Sequence, residues 1–183
     1  MKKLILVCVV WVFGVLAGEA QIQSANLQAS GLTCALCAKS IFTNLSALSF
    51  VESVDTDLNA SAFELKFKPG LEVDPEALRK KVEDAGFSVS KLVLRFLANK
   101  QKIDNNGFLS IGKFNYHFVQ VKDAVYNGEI NIQIIDKEYL AAKDYKKKIS
   151  VVKVECYQTA QQEDCKLPKP LESSNHVFHA TIL

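Results

Sequence analysis

Apolar and polar positions along residues 27–96 repeat with two different periods, and the switches between them mark out a succession of elements. Leu27, Ala29 and Gly31 alternate with Gln28 and Ser30, the period of a strand with one buried face. From Ala35 to Leu48 the spacing lengthens: Cys37, Ile41, Leu45 and Leu48 recur at 4, 4 and 3, which predicts an amphipathic helix buried along that stripe. Val51 to Leu58 returns to a strand, Asn59-Ala60-Ser61 reads as a turn, and Phe63 to Lys68 alternates strictly, so the two strands form a hairpin. Lys68-Pro69-Gly70 ends it. Asp74-Pro75 opens a second helix, Asp as N-cap and Pro at the first helical position. Leu78, Val82 and Ala85 form its apolar stripe, Lys80 and Lys81 face outward, and Gly86 suits its C-terminal cap. Phe87 to Phe96 is a last strand. Strand, helix, strand, strand, helix, strand over about seventy residues predicts an α+β class, with a ferredoxin-like unit whose helices cover one face of an antiparallel sheet.

Beyond Phe96 the pattern changes. Residues 97–107 are polar and turn-rich and read as a linker between a domain at 21–96 and a mostly β domain at 108–183. In the second domain Phe108–Ile111, Phe114–Val121, Glu129–Ile135, Val151–Tyr157 and His176–Leu183 read as strands. Asn127-Gly128 reads as a hairpin turn, and Asp136 as the cap of a helix over Lys137–Lys147. That order suggests a small OB-like barrel, with a β-sandwich as the alternative.

Composition narrows the function classes. With 49% apolar and 23% charged residues the chain is an ordinary globular protein, and a formal charge of +2 with dispersed lysines gives no basic stripe for nucleic acid. Residues 1–20 read as a signal peptide: Lys2 and Lys3 precede an apolar run from Leu4 to Ala17, and Gly18 and Ala20 offer a cleavage site. The run falls short of the ~20 residues of a membrane span. The expected mature protein is exported, periplasmic or extracellular, without a stable membrane span. Cys8 and Trp11 leave with the leader, so Cys34, Cys37, Cys156 and Cys165 remain in a compartment that permits disulfides.

Cys34 and Cys37 are the chemistry the pattern singles out. A cysteine at the last loop position and another three residues on converge on one side of a helix start, whose partial positive charge stabilises thiolate sulfur. Two convergent thiolates suit a soft metal ion. The same spacing also occurs in half a zinc site, in a redox dithiol, or as two unrelated buried cysteines.

Gly31-Leu32-Thr33-Cys34-Ala35-Leu36-Cys37, then Val51-Glu52-Ser53-Val54, then Leu78 through Glu83-Asp84-Ala85-Gly86-Phe87 together resemble a heavy-metal-associated domain over roughly residues 23–91. The family comprises small metallochaperones, amino-terminal domains of copper-transporting ATPases and periplasmic mercury-binding proteins. The resemblance implies Cys34 and Cys37 as ligands for Cu(I), Hg(II) or Zn(II), and a metal donor or acceptor protein as partner. Leu32 stands where the family usually has a buried Met. Thr33 stands where zinc-transporting members commonly carry Asp, a hard oxygen ligand, which favours Cu(I). Gly31, Leu32 and Thr33 would support the metal loop. Phe87 matches an aromatic position that would shield the thiolates, and equally suits a core residue.

Outside that region, Cys156 and Cys165 flank a polar stretch that could bring them together. A disulfide there would stabilise by roughly 2 to 3 kcal/mol, and is preferred to two unpaired cysteines or a second soft-metal site. His176 and His179, three apart on a strand, point to opposite faces, and His117 reads as a satisfied strand residue. Lys143, Lys146, Lys147 and Lys148 read as a solvated helix end. Two functions follow: a Cu(I) carrier that consumes nothing and is no enzyme, or a thiol-disulfide oxidoreductase using the same Cys34 and Cys37. An interaction module with a structural disulfide is a third.

Overall fold

The computed structural model describes residues 21–32, 34–103, 107–119, 124–159, 165 and 177–183. The expected leader with Cys8 and Trp11, together with Thr33 and His176, lies outside the described residues.

The first six elements follow the sequence pattern closely: β1 (Gln21–Ser30), α1 (Ala35–Ser46), β2 (Val51–Asp57), β3 (Ala62–Phe67), α2 (Pro75–Glu83) and β4 (Ser88–Ile103). The strands lie in the order β2-β3-β1-β4 with every pair antiparallel, the ferredoxin-like arrangement expected. β1 begins at Gln21, earlier than its alternation shows. Its start is paired with β4, Gln21 with Leu97 and Ile22 with Phe96, and buries Ile22, while pairing with β3 begins at Ser24. α1 buries Ala38, Ile41 and Leu45. α2 buries Leu78 and Val82, and Asp74 Oδ1 accepts from the Ala77 backbone N–H at 3.1 Å as its cap.

The linker expected at 97–107 is not a boundary, for residues 97–103 continue β4. The remaining strands, β5 (Phe108–Ile111), β6 (Phe114–Phe118), β7 (Ala124–Ile134) and β8 (Val177–Ile182), extend the same sheet to eight strands in the order β2-β3-β1-β4-β7-β8-β6-β5. The C-terminal half is β-rich as expected, yet its described strands join one open sheet in place of a barrel or sandwich. It joins the first half because β4 is long enough to pair with β1 along one edge and β7 along the other. One core accordingly runs from Ile22 in β1 to Ala180 in β8.

Asn127-Gly128 is not a hairpin turn. It lies within β7 opposite Ala98, where the register with β4 shifts between Ala98 and Gln101. Gly128 at φ +90° and Lys100 at φ +50° take up the shift, and Asn127 Oδ1 accepts from the Lys100 backbone N–H. The turn-forming dipeptide has become a bulge site.

Two further expectations fail. A 3₁₀ turn (Lys137–Tyr139) precedes a helix α3 at Ala142–Val151, in place of one helix from Lys137 to Lys147, and Asp136 makes no side-chain cap bond. Val151–Tyr157 is not a strand: its start ends α3 and its end opens a short helix α4 (Glu155–Thr159). α4 turns Cys156 and Tyr157 both inward, each 2% exposed; adjacent strand residues would have pointed to opposite faces.

Candidate metal centre

Gly31 leaves β1 at φ +79°, a left-handed conformation that glycine adopts without strain and that turns the chain into the loop before α1. Leu32 is half-buried and packs against the main core, anchoring that loop. Thr33 lies outside the described residues. Cys34 is the N-cap of α1, with extended backbone at φ −147° and ψ 153°, and its Sγ accepts from the Cys37 backbone N–H at 3.2 Å. This sulfur occupies the position an Asp or Ser oxygen would take at an ordinary N-cap, where free N–H groups and the helix dipole favour negative charge. No acidic residue in the first turn opposes that field. Cys34 is exposed and Cys37 half-buried. Their sulfurs are joined as a disulfide with Cα atoms 5.3 Å apart, so the side chains do converge, in oxidised form. Leu36, between them, is 79% exposed and leaves an apolar surface beside the sulfurs.

Phe87 follows α2, with its backbone N–H bonded to Val82 O at 3.2 Å, and its half-buried ring packs against the main core. α2 braces α1, since Asn44 Nδ2 donates to Lys81 O at 3.1 Å.

Residues 26–88 match the family model of the heavy-metal-associated domain. This part of the chain is a heavy-metal-associated domain. The chain is similar over that part to several solved structures. The yeast copper transporter domain CCC2A, studied in apo and Cu(I) states, is 28% identical over 37% of this chain and 90% of that one, with a TM-score of 0.33. A copper-binding domain from HMA7, a P-type ATPase, is 26% identical over 44% and 100%, with a TM-score of 0.35. Oxidized MerP from Ralstonia metallidurans CH34 is 24% identical over 38% and 96%, also with a TM-score of 0.35. No curated protein matches the chain. The C-terminal part is unmatched.

In that C-terminal part Cys156 and Cys165 are joined as a disulfide. Two histidines lie beside them. Cys156 Sγ is 3.2 Å from His179 Nε2 and 3.8 Å from His117 Nδ1. The reading of His117 as an ordinary strand residue overlooked this, because β6 and β8 run parallel and pair His117 with His179 directly. Three cysteine- and histidine-bearing segments remote in sequence gave no local signal of their meeting. Lys143 and Lys146–Lys148 lie on α3, which buries no residue, as expected of a solvated helix. Among the described residues no helix is long and apolar enough to cross a membrane.

Proposed function

We propose that the protein is an exported soft-metal carrier whose cargo is Cu(I), held by Cys34 and Cys37 of the heavy-metal-associated domain. The carrying observation is the pair of convergent sulfurs at the exposed N-terminus of α1, one of them already accepting a helix N–H. Reduced, this pair presents two thiolates in a field that stabilises them. Two soft sulfurs and no carboxylate in the first helical turn suit Cu(I), and would also take Hg(II), better than Zn(II). The exposure of Cys34 lets an incoming thiol add to the ion and draw it away, and exposed Leu36 offers that partner an apolar contact. Nothing is consumed, so the protein acts as a carrier and not as an enzyme. Because binding displaces thiol protons, apparent affinity falls in acid. Titration of the reduced full chain with Cu(I) against a chromophoric Cu(I) chelator tests this. Replacing both residues (Cys34→Ser, Cys37→Ser) is expected to remove one ion per chain, and an unchanged stoichiometry would refute the proposal.

The disulfide between Cys34 and Cys37 supports a second reading, a thiol-disulfide oxidoreductase. Catalysed insulin reduction by a reduced chain that shows no Cu(I) affinity would favour it over the carrier.

A further inference from the structure

The face of β6 and β8 turned away from the main core carries a second constellation. Phe178 and Ala180 of β8 enter the main core, so the alternate residues Val177 and His179 face the other way, towards Cys156 and Cys165. One donor atom from each of His117, Cys156, Cys165 and His179 lies within 4.8 Å of every other. The sulfur–nitrogen separations are 3.2 Å from Cys156 to His179 Nε2, 3.8 Å from Cys156 to His117 Nδ1, and 3.7 Å from Cys165 to His179 Nε2. A tetrahedral ion with metal–sulfur bonds of ~2.3 Å and metal–nitrogen bonds of ~2.0 Å sets its sulfur–nitrogen edges at about 3.5 Å. These three sulfur–nitrogen edges therefore have the spacing of a coordination shell, and the two sulfurs, bonded to each other, must part for all four donors to surround one ion.

A second observation concerns orientation. Asp136 Oδ1 is 2.7 Å from His179 Nδ1, and Asp136 Oδ2 accepts the His179 backbone N–H at 2.8 Å. The carboxylate is thus the acceptor for the Nδ1 proton and leaves the Nε2 lone pair facing the sulfurs, the arrangement that commonly backs a metal-bound imidazole. It also explains why Asp136 caps no helix. The surroundings are close-packed: Cys156, Cys165 and His179 are 2%, 5% and 5% exposed, Phe108 stacks on His117 at 4.2 Å between centroids, and Tyr157 meets His179 edge-on at 5.2 Å.

We propose that His117, Cys156, Cys165 and His179 form a second metal site, distinct from the exposed pair, that holds one tetrahedral Zn(II) when the two cysteines are reduced. Two sulfurs and two imidazoles in a tetrahedron are a donor set for Zn(II). Occupation requires that the sulfur–sulfur bond first break. An external dithiol supplies two electrons and two protons and leaves as its own disulfide; the incoming Zn(II) then displaces both thiol protons. The site is closed when oxidised and open to metal when reduced. Asp136 is a positioning residue, acting through His179.

The test uses the full chain carrying Cys34→Ser and Cys37→Ser, so that the exposed pair contributes nothing, reduced with a phosphine and freed of it without oxygen. Titration with Zn(II) against a chromophoric chelator should give one ion per chain. Co(II) should give intense tetrahedral ligand-field bands and a thiolate-to-metal charge-transfer band. Adding His179→Ala should weaken binding by at least roughly 100-fold, and Asp136→Asn by about 10- to 100-fold with the charge-transfer band retained. Should reduction alone unfold the chain, refolding on addition of Zn(II) supports the site equally. Absence of binding, a Co(II) spectrum without charge transfer, or an affinity indifferent to His179→Ala would overturn the proposal.

Discussion

Cys34 and Cys37 stand at an exposed helix mouth with one backbone N–H for company, whereas Cys156 and Cys165 sit almost fully buried against two imidazoles and a carboxylate-backed ring. Both pairs are disulfides in the structure, so the difference lies in their surroundings rather than in their own chemistry. An exposed two-sulfur site leaves room for a third, foreign sulfur and so can pass an ion on. A buried four-donor site has no such opening and retains what it binds. One sheet thus presents two sites suited to opposite ends, and β4 is the strand that joins the halves carrying them.

The severest challenge to that contrast is to break the joint. Phe96 lies fully buried on β4, paired with Ile22 of β1 on one side and Ile130 of β7 on the other. Phe96→Ala should cost about 3 to 5 kcal/mol. Because the core is continuous across both halves, loss of amide protection in α1 and thiol exposure of Cys156 and Cys165 in reduced protein should follow one denaturant transition. Two separate transitions would mean that the halves fold independently.

Reactivity measures the contrast directly. In reduced protein at neutral pH, Cys34 should be alkylated at least roughly 100-fold faster than Cys156, the factor set by a local opening of ~2.7 kcal/mol. The helix N-terminus adds to this by favouring the Cys34 thiolate. Peptide mass spectrometry of timed samples gives both rates, and equal rates would end the distinction between exchange and retention.

The two halves differ as much in what their sequences disclose. In the first half the information is local: Asp74-Pro75 announces α2, strict alternation marks β3, and Gly31 and the cysteine spacing place the loop before α1. Only the start of β1 was hidden, because pairing with the far end of β4 and the burial of Ile22 and Ala25 extend the strand beyond its clear alternation. In the second half the information is non-local. Residues 97–103 look like a linker, yet β7 recruits them into β4. Val151–Tyr157 carries β-branched residues, yet it breaks between two helices: Val152 is buried just past the end of α3, and Tyr157 in α4 donates from Oη to Ile135 O at 2.8 Å. His117 and His179 share a site because β8 inserts between β7 and β6, a pairing that neither histidine's neighbours encode.

Alkali should loosen the fastening between halves. Tyr139 is buried and donates from Oη to Glu76 Oε1 of α2 at 2.8 Å; burial first, then the Glu76 charge, raises its pKa above the ordinary 10.0. Burial likewise raises Tyr116 and Tyr157. A raised folded-state pKa contributes stability that is complete below pH 10 and declines as pH rises beyond it, while the unfolded tyrosines ionise and the folded ones do not. Each such group adds a slope of about 1.4 kcal/mol per pH unit. Denaturant midpoints between pH 9 and 11.5 should therefore fall steeply at the upper end, and Tyr139→Phe should lessen that slope by one group's share.

The smallest effect discriminates most finely. Asp74→Ala removes the N-cap of α2, which should cost about 1 kcal/mol of global stability. α2 braces α1 through the Asn44–Lys81 bond, and α1 carries the exposed pair. Hydrogen exchange should accordingly quicken in α2 and in α1. The buried constellation rests on β6, β8, α4 and Asp136, and Asp74 Oδ1 is engaged instead with the Ala77 backbone N–H of α2. Exchange at His179, whose backbone N–H is held by Asp136, should change only by the global factor of roughly fivefold that 1 kcal/mol represents. A larger change at His179 than in α1 would show that the cap supports the second half through contacts the sheet does not account for, and the separation between an exchanging and a retaining site would have to be redrawn along α2.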